Sequence, residues 1–401
     1  MTYVRVGEVA DQIRGVTYGK EDVLATESRN GVPVLRANNI AEDGLVFDDL
    51  VYIADRQVSE RQRLRVGDIV IAASSGSLSV VGKAAQLHAT FDGAFGAFCK
   101  VVRPGPQVNP RYLGHFFRTP DYRRKISSLA AGANINNLKS ADIDNLEIPL
   151  PPLPEQQRIA AILDQADALR RKRRASLARL DDLGTATFAS MFGDLMANSR
   201  GWRRGLVGDI VSHFESGRNL IASDDAPENP NFRVLKISAV TSLRFDPEAS
   251  KPLPYEYEVP LAHRVRLGDL LFSRANTEEL IGATAYVDVK CDGLALPDKL
   301  WRFCWHDEQR AVPLFVWKLF TLPAFRHQLR GRSTGTSGSM KNISQEKVLS
   351  IEIGIPGWDG QRAYATALSA IRKEERNARI QLDRLDSLFA SLQHRAFRGE
   401  L

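Results

Sequence analysis

The chain has 401 residues, too many for one ordinary domain, and 43% of them are hydrophobic and 25% charged, as in a folded chain with a sizeable core. No apolar run approaches the roughly 18–20 residues that cross a bilayer, and the start, MTYVRVGEVADQIRG, has no signal-peptide apolar stretch. Three scattered cysteines (Cys99, Cys291, Cys304) fit a reducing, cytoplasmic setting and offer no metal-ligand spacing, while the net charge of +6 favours an acidic partner such as nucleic acid.

In chain order, Val6–Gly15 (VGEVADQIRG) opens a series of short Val-, Ile-, Leu- and Phe-rich runs bounded by Gly, Asn, Asp and Pro, which is a strand signature. Pro33–Ile40 (PVLRANNI) follows, and then Arg63–Leu87, which holds R-x-G-D, an apolar strand, a polar loop and an apolar pair ending in Gly. One short helix is predicted around Tyr112–Ile126, and Asn137–Pro151 (NLKSADIDNLEIPLP) closes the globule. After Pro154 a helix is predicted from about Glu155 to Phe192, ~57 Å long at 1.5 Å per residue. Its seam runs through Ile159, Leu163, Ala166, Arg170, Arg173, Leu177, Leu180 and Gly184, in steps of four and three.

The series then repeats in the same order, offset by roughly 200 residues. Val207–Gly217 answers Val6–Gly15, Arg233–Val240 answers Pro33–Ile40, and His263–Val287 answers Arg63–Leu87. Phe315–Leu329 answers the short helix, with its internal proline in register, and Asn342–Pro356 answers the closing segment. The second long helix has the same seam: Tyr364, Leu368, Ile371, Glu375, Ala378, Leu382, Leu385, Phe389 and Leu392. Five ordered matches mark a tandem duplication. The helices carry RRKRR (Arg170–Arg174) and RKEER (Arg372–Arg376), and an antiparallel pair would bring the first cluster towards Glu374 and Glu375. The basic cluster is alternatively a nucleic-acid patch, or simply solvated.

Two globules alternating with two helices, with IPLPPLPEQQRIAAILDQADAL opening the central helix and AFRGEL (Ala396–Leu401) ending the last, resemble the specificity subunits of type I restriction–modification systems. The resemblance covers the whole chain, although the second junction is reduced to GIPGWDGQR (Gly354–Arg362), which keeps Pro356, Gln361 and Arg362. It implies an α+β fold of two tandem mixed α/β target-recognition domains rich in strands, separated by two long helices forming an antiparallel coiled coil. The domains fall at 1–150 and 196–355, and the spacer helices at 151–195 and 356–401. The coiled-coil seam then consists of Ile159, Leu163, Ala166, Leu177, Leu180, Leu368, Ile371, Leu382, Leu385 and Leu392.

The resemblance further implies that each globule reads one half of a split, asymmetric double-stranded DNA target. The helices would set the spacer and dock two modification (methyltransferase) subunits, which carry S-adenosylmethionine; restriction (translocase/nuclease) subunits would complete the complex. No cofactor is expected on this chain itself. The alternative is a non-catalytic protein-binding scaffold with duplicated interaction domains and a coiled coil.

Readout needs donors and acceptors on a backbone that can approach phosphate. Loops matched between the copies are the best candidates. The first pair offers Thr17, Tyr18 and Lys20 against Arg218 and Asn219, and the second Ser74, Ser75 and Ser77 against Arg274 and Asn276. The third offers Asn134, Asn136, Asn137 and Lys139 against Thr334, Thr336, Ser337, Ser339 and Lys341. These residue types also make ordinary surface turns.

Catalytic signals fail on inspection. NPRY (Asn109–Tyr112) sits one residue from the N-P-P-Y of amino-methyltransferases, but its counterpart VPLF (Val312–Phe315) drops the Asn, as expected of proline in a helix's first turn. GRSTGTSGSMK (Gly331–Lys341) lacks the G-K-[ST] of a phosphate-binding loop. The seven histidines are dispersed. No catalytic residue and no metal site is expected.

Overall fold

In the computed structural model, residues 2–24, 31–77, 79–131, 137–218, 228–255, 257–306, 311–335 and 340–401 are described. The chain forms two compact units: Met1–Ser176 with Ala378–Leu401, and Leu177–Asn377. Each contains one globule and one half of each long helix, the central helix running Leu153–Phe192 and the C-terminal helix Trp358–Ala396. Among the described residues no helix is long and apolar enough to cross a membrane.

The duplication recurs in the topology of the two main sheets of each globule. In the first unit an antiparallel sheet has the order Ala10–Arg14, Cys99–Pro104, Ile69–Ala72, Ala84–Gln86. In the second, Val211–Ser216, Leu300–Trp305, Leu270–Ser273 and Thr284–Tyr286 follow the same order. A second sheet pairs Gly31–Leu35 antiparallel with Val51–Ala54 and parallel with Ala94–Phe95. Its counterpart pairs Glu228–Leu235 with Ser250–Pro254 and Leu294–Ala295 in the same senses. Each globule is closed by a ribbon of its first and last strands, Tyr3–Arg5 with Glu147–Pro149 and Arg203–Leu206 with Glu352–Ile355.

The repeated R-x-G-D has a structural reason. Its glycine turns the chain at positive φ (Gly67 +98°, Gly268 +93°), which L side chains resist. Its aspartate closes that turn, accepting from the amide of Arg65 or Arg266 at 2.8 Å in each copy. The buried Asp68 also accepts both fork nitrogens of Arg103 at 2.8 Å, while Asp269 faces Arg302 at 3.6 Å. The glycine after the apolar pair is equally constrained: a Cβ on Gly82 would meet Ile126 at 2.2 Å, and one on Gly282 would meet Leu329 at 2.7 Å.

Where one short helix is predicted in each globule, there are two: Pro110–Phe116 and Pro120–Ala131, then Pro313–Thr321 and Pro323–Arg332. The internal proline cannot continue the preceding helix but suits the first turn of the next. Asn109 caps its helix, accepting from the amides of Arg111 and Tyr112, and the buried Tyr112 hydroxyl donates to the Pro149 carbonyl at 2.8 Å. NPRY is therefore a helix start.

The proline junction has a stitch at its centre. Gln156, 1% exposed, accepts from the Asn109 amide at 2.7 Å and donates to the Pro151 and Gln107 carbonyls. Gln361, also 1% exposed, accepts from the Val312 amide at 3.1 Å and donates to the Pro356 carbonyl at 2.9 Å. Each glutamine ties a long helix to the cap of a short one, which explains why Gln361 persists where the proline run is lost. Gln156→Ala strands the Asn109 amide, so a loss of about 1–3 kcal/mol is expected, measured by chemical denaturation; the Gln361→Ala loss should be similar.

The helices meet antiparallel within each unit. In the first, Arg158 reaches the Leu401 carbonyl at 2.6 Å, and Arg170 and Arg174 both engage Asp386. In the second, the Tyr364 hydroxyl donates to the Gly184 carbonyl at 3.1 Å, and Tyr364 packs edge-on against Phe188 and Phe192. Of the predicted seam, Ile159, Leu163, Ala166 and Leu368 are buried, and Leu177, Leu180, Ile371, Leu382, Leu385 and Leu392 are half-buried. The helix ends also join the globule cores: Ile159 and Leu163 cluster with Val6 and Tyr112, and Tyr364 and Leu368 with Phe315.

The basic cluster does not meet Glu374 and Glu375. The helix register sets Arg170 and Arg174 against Asp386, with Asp43 also on Arg174, while the buried Asp167 holds Arg118, Arg170 and Arg171. Glu375 is taken by Arg244 at 2.8 Å. Buried charges need partners, and here they are Asp167 and Asp386 at other positions of the same two helices, joined by Arg118, Asp43 and Arg244 from the globules.

Candidate nucleic-acid interface

The two sheets of each globule leave three loops at one end. In the first unit Val16 bridges Gly96, and the Phe98 carbonyl accepts from the Ala73 and Ser74 amides at 2.9 and 3.0 Å. Ser74 in turn bridges Asn137. The first two predicted loops are thereby joined through the turn at 96–99, and the described end of the third meets the second at Ser74. The second unit repeats the arrangement: Arg218 bridges Pro297, the Lys299 carbonyl accepts from the Arg274 amide at 3.1 Å, and Ala275–Asn276 pairs with Lys341–Asn342.

In the first unit the first two of these loops and the turn at 96–99 border a groove of about 820 Å³. Thr17, Tyr18, Ser74 and Ser75 line it, together with Arg36, Asn38 and Phe98, and among the described residues no acidic side chain does. Burial raises the Tyr18 phenol against the opposing effect of Arg36, so it stays a neutral hydrogen-bond donor. Arg36 is anchored by Asp49 at 2.7 Å. Its hydroxyls and amides, with the Arg36 cation that Asp49 already pairs, can donate to phosphate oxygens.

Lys20, Ser77, Asn137 and Lys139 are exposed outside this groove's lining. In the second unit Arg218 and Thr334 are exposed and Arg274, Asn276 and Lys341 half-buried. Arg274 donates to the Asp298 carbonyl at 2.9 Å, Asn276 approaches the Ser273 hydroxyl, and Lys341 donates to the Gly335 carbonyl at 3.1 Å. Asn134, Asn136, Asn219, Thr336, Ser337 and Ser339 lie outside the described residues.

A second polar cluster lies where the helix Pro110–Phe116 meets the central helix. Asp164 accepts from His115 at 2.7 Å and from Arg111, and His88 contacts Arg111. Burial would raise the Asp164 carboxyl, but hydrogen bonds from His115 and Arg111 outweigh it and hold the group well below the usual carboxylate range. His115, 3% exposed, is pushed below its ordinary 6.5 by burial, against the pull of Asp164. A histidine depressed in the folded state contributes stability above its unfolded pKa, which is lost as pH falls below it; the depressed carboxylate adds to the loss at lower pH. The melting temperature should therefore decline between about pH 7 and pH 5, and His115→Gln should flatten that decline in a thermal scan.

Strand pairing also places His213 opposite Cys304, with Glu215 near, the three ligand atoms lying within 4.8 Å of one another. Sequence spacing hid this group, since its members sit on two distant strands. Glu215 is already held by Arg302.

Residues 1–179 match the family model of the type I restriction modification DNA specificity domain. Over 99% of its length the chain is 34% identical to the EcoKI specificity subunit of Escherichia coli (strain K12), covering 88% of that protein. The chain belongs to the family of type I restriction enzyme specificity subunits. The StySPI specificity subunit of Salmonella potsdam is 32% identical, again over 99% of this chain and 88% of that protein. The S subunit of a type I restriction-modification system from M. genitalium shares the fold, with a TM-score of 0.57 at 14% identity over 99% of this chain and 96% of that one.

In this specificity subunit the matched loop ends differ in the side chains they present. Arg36 stands where the second globule has Lys236, Asn38 where it has Ser238, and Phe98 where it has Lys299. None of these was among the predicted site residues. The aligned segments PVLRANNI and RVLKISAV already held the signal for Arg36, a cation kept at one position of both copies.

Proposed function

We propose that this chain is the non-catalytic DNA-reading subunit of a type I restriction–modification complex. Each globule reads one half of a bipartite, asymmetric double-stranded target. The paired helices set the spacer and dock two modification subunits carrying S-adenosylmethionine, and restriction subunits that translocate and cut DNA complete the assembly, in the cytoplasm. The observation that carries this reading is the recurrence of one loop arrangement on two copies of one scaffold, with different side chains at matched positions. Two similar readers with different contacts call for two different half-sites. The names of the relatives support the same reading.

An electrophoretic shift experiment tests it. Alone, the chain should bind random-sequence DNA weakly, with an affinity that falls steeply with salt as displaced counterions are released. With modification subunits and S-adenosylmethionine it should select and methylate one bipartite sequence. Binding of those protein partners without DNA affinity under either condition would instead make it a scaffold.

A further inference from the structure

We infer that Phe98 is a specificity-determining residue that contacts the 5-methyl group of a thymine in the half-site read by the first globule. The inference rests on the DNA-reading function proposed above. Phe98 is 69% exposed, although a phenylalanine ordinarily buries its ring. Its backbone is fixed, because its carbonyl accepts from the Ala73 and Ser74 amides and the Cys99 amide closes the turn onto the Gly96 carbonyl at 2.8 Å. A rigid main chain thus holds an apolar ring out at the border of the groove, among the polar groups of Thr17, Asn38 and Ser74.

The second globule supplies the control. There the same backbone position, bonded to the Arg274 amide, carries Lys299. The fold therefore constrains the main chain at this position and leaves the side chain open, as a reading position requires. Among major-groove base edges thymine alone presents a methyl group, and a phenylalanine ring is a suitable contact for it. A lysine at the matched position would favour the guanine acceptors instead.

The test uses the methyltransferase complex and its modified target once that sequence is known. Each thymine of the target is replaced singly by deoxyuridine, which removes only the methyl, and affinity is measured at fixed salt. The wild-type complex should lose about fivefold at one thymine of the half-site assigned to the first globule. Phe98→Ala should bind the thymine and deoxyuridine duplexes equally, while its response in the other half-site stays as in wild type. Phe98→Leu should keep part of the discrimination, and an unchanged melting temperature for both variants would show that folding is intact. Wild-type indifference to every thymine methyl in that half-site, or discrimination that survives Phe98→Ala, would overturn the inference while leaving the functional reading in place. A kink at the site with no methyl dependence would mark Phe98 as a wedge and equally overturn it. A complex that modifies no specific sequence would overturn the functional reading and this inference together.

Discussion

Exchanging residues 1–150 for the matching segment of another specificity subunit should replace one half of the modified sequence and leave the other half and the spacer unchanged. Residues 3–5 and 147–149 pair to close the globule, so the exchanged piece carries its own sheets and loops. Its contacts with the helices are the sensitive part. Arg118 is paired with Asp167 at 2.9 Å and His115 with Asp164, and Tyr112 packs at 5.0 Å from Phe397. A donor segment that lacks Arg118 leaves Asp167 with only Arg170 and Arg171, so the loss should fall below the about 3–5 kcal/mol that an uncompensated buried charge costs. Donors that keep these residues should fold and give the hybrid target, read out by sequencing modified bases in a host that expresses the hybrid. Changes in both halves would contradict the assignment of one half-site to each globule.

Inserting seven residues after Ser176 and seven after Asn377 should lengthen the target's spacer. Those positions divide the units within each helix, so the insertion leaves the Asp386 cluster and the Tyr364 cluster intact. Each helix gains ~10.5 Å, equivalent to roughly 3 base pairs at ~3.4 Å each. A heptad turns a helix by only about 20° from its starting phase, whereas 3 base pairs turn DNA by roughly 100°. The single insertion should therefore shift the spacer and also weaken binding. Three heptads in each helix, close to one DNA turn, should restore affinity with a spacer about 9 base pairs longer. An unchanged spacer in both variants would remove the helices' role as a ruler.

The architecture was legible because the sequence states it twice. Aligning the copies revealed the strands, the R-x-G-D turn and the proline junction, and the seam positions stood out by their heptad steps. Several features escaped for different reasons. Pairing of Arg170 with Asp386 depends on the exact register of two helices, and heptad periodicity leaves register open, so Glu374 and Glu375 looked equally suitable. Phe98 escaped because an aromatic beside a strand reads as core; only the fold shows that the ring faces outward while the neighbouring Cys99 is buried. The loop ends brought together by Ser74 and Asn137, or by Ala275 and Asn342, are far apart in sequence and meet only through sheet topology. Gln156 lay inside a recognisable motif, yet its role as a stitch to Asn109 needed the helix start to be placed in space.

Sequencing of modified bases across the host genome, with and without this chain, tests the central claim most directly. The account predicts one methylated motif that depends on the chain and consists of two unlike half-sites separated by a fixed stretch of unspecified bases. A single continuous motif, a symmetric one, or a modification pattern unchanged when the chain is removed would contradict it.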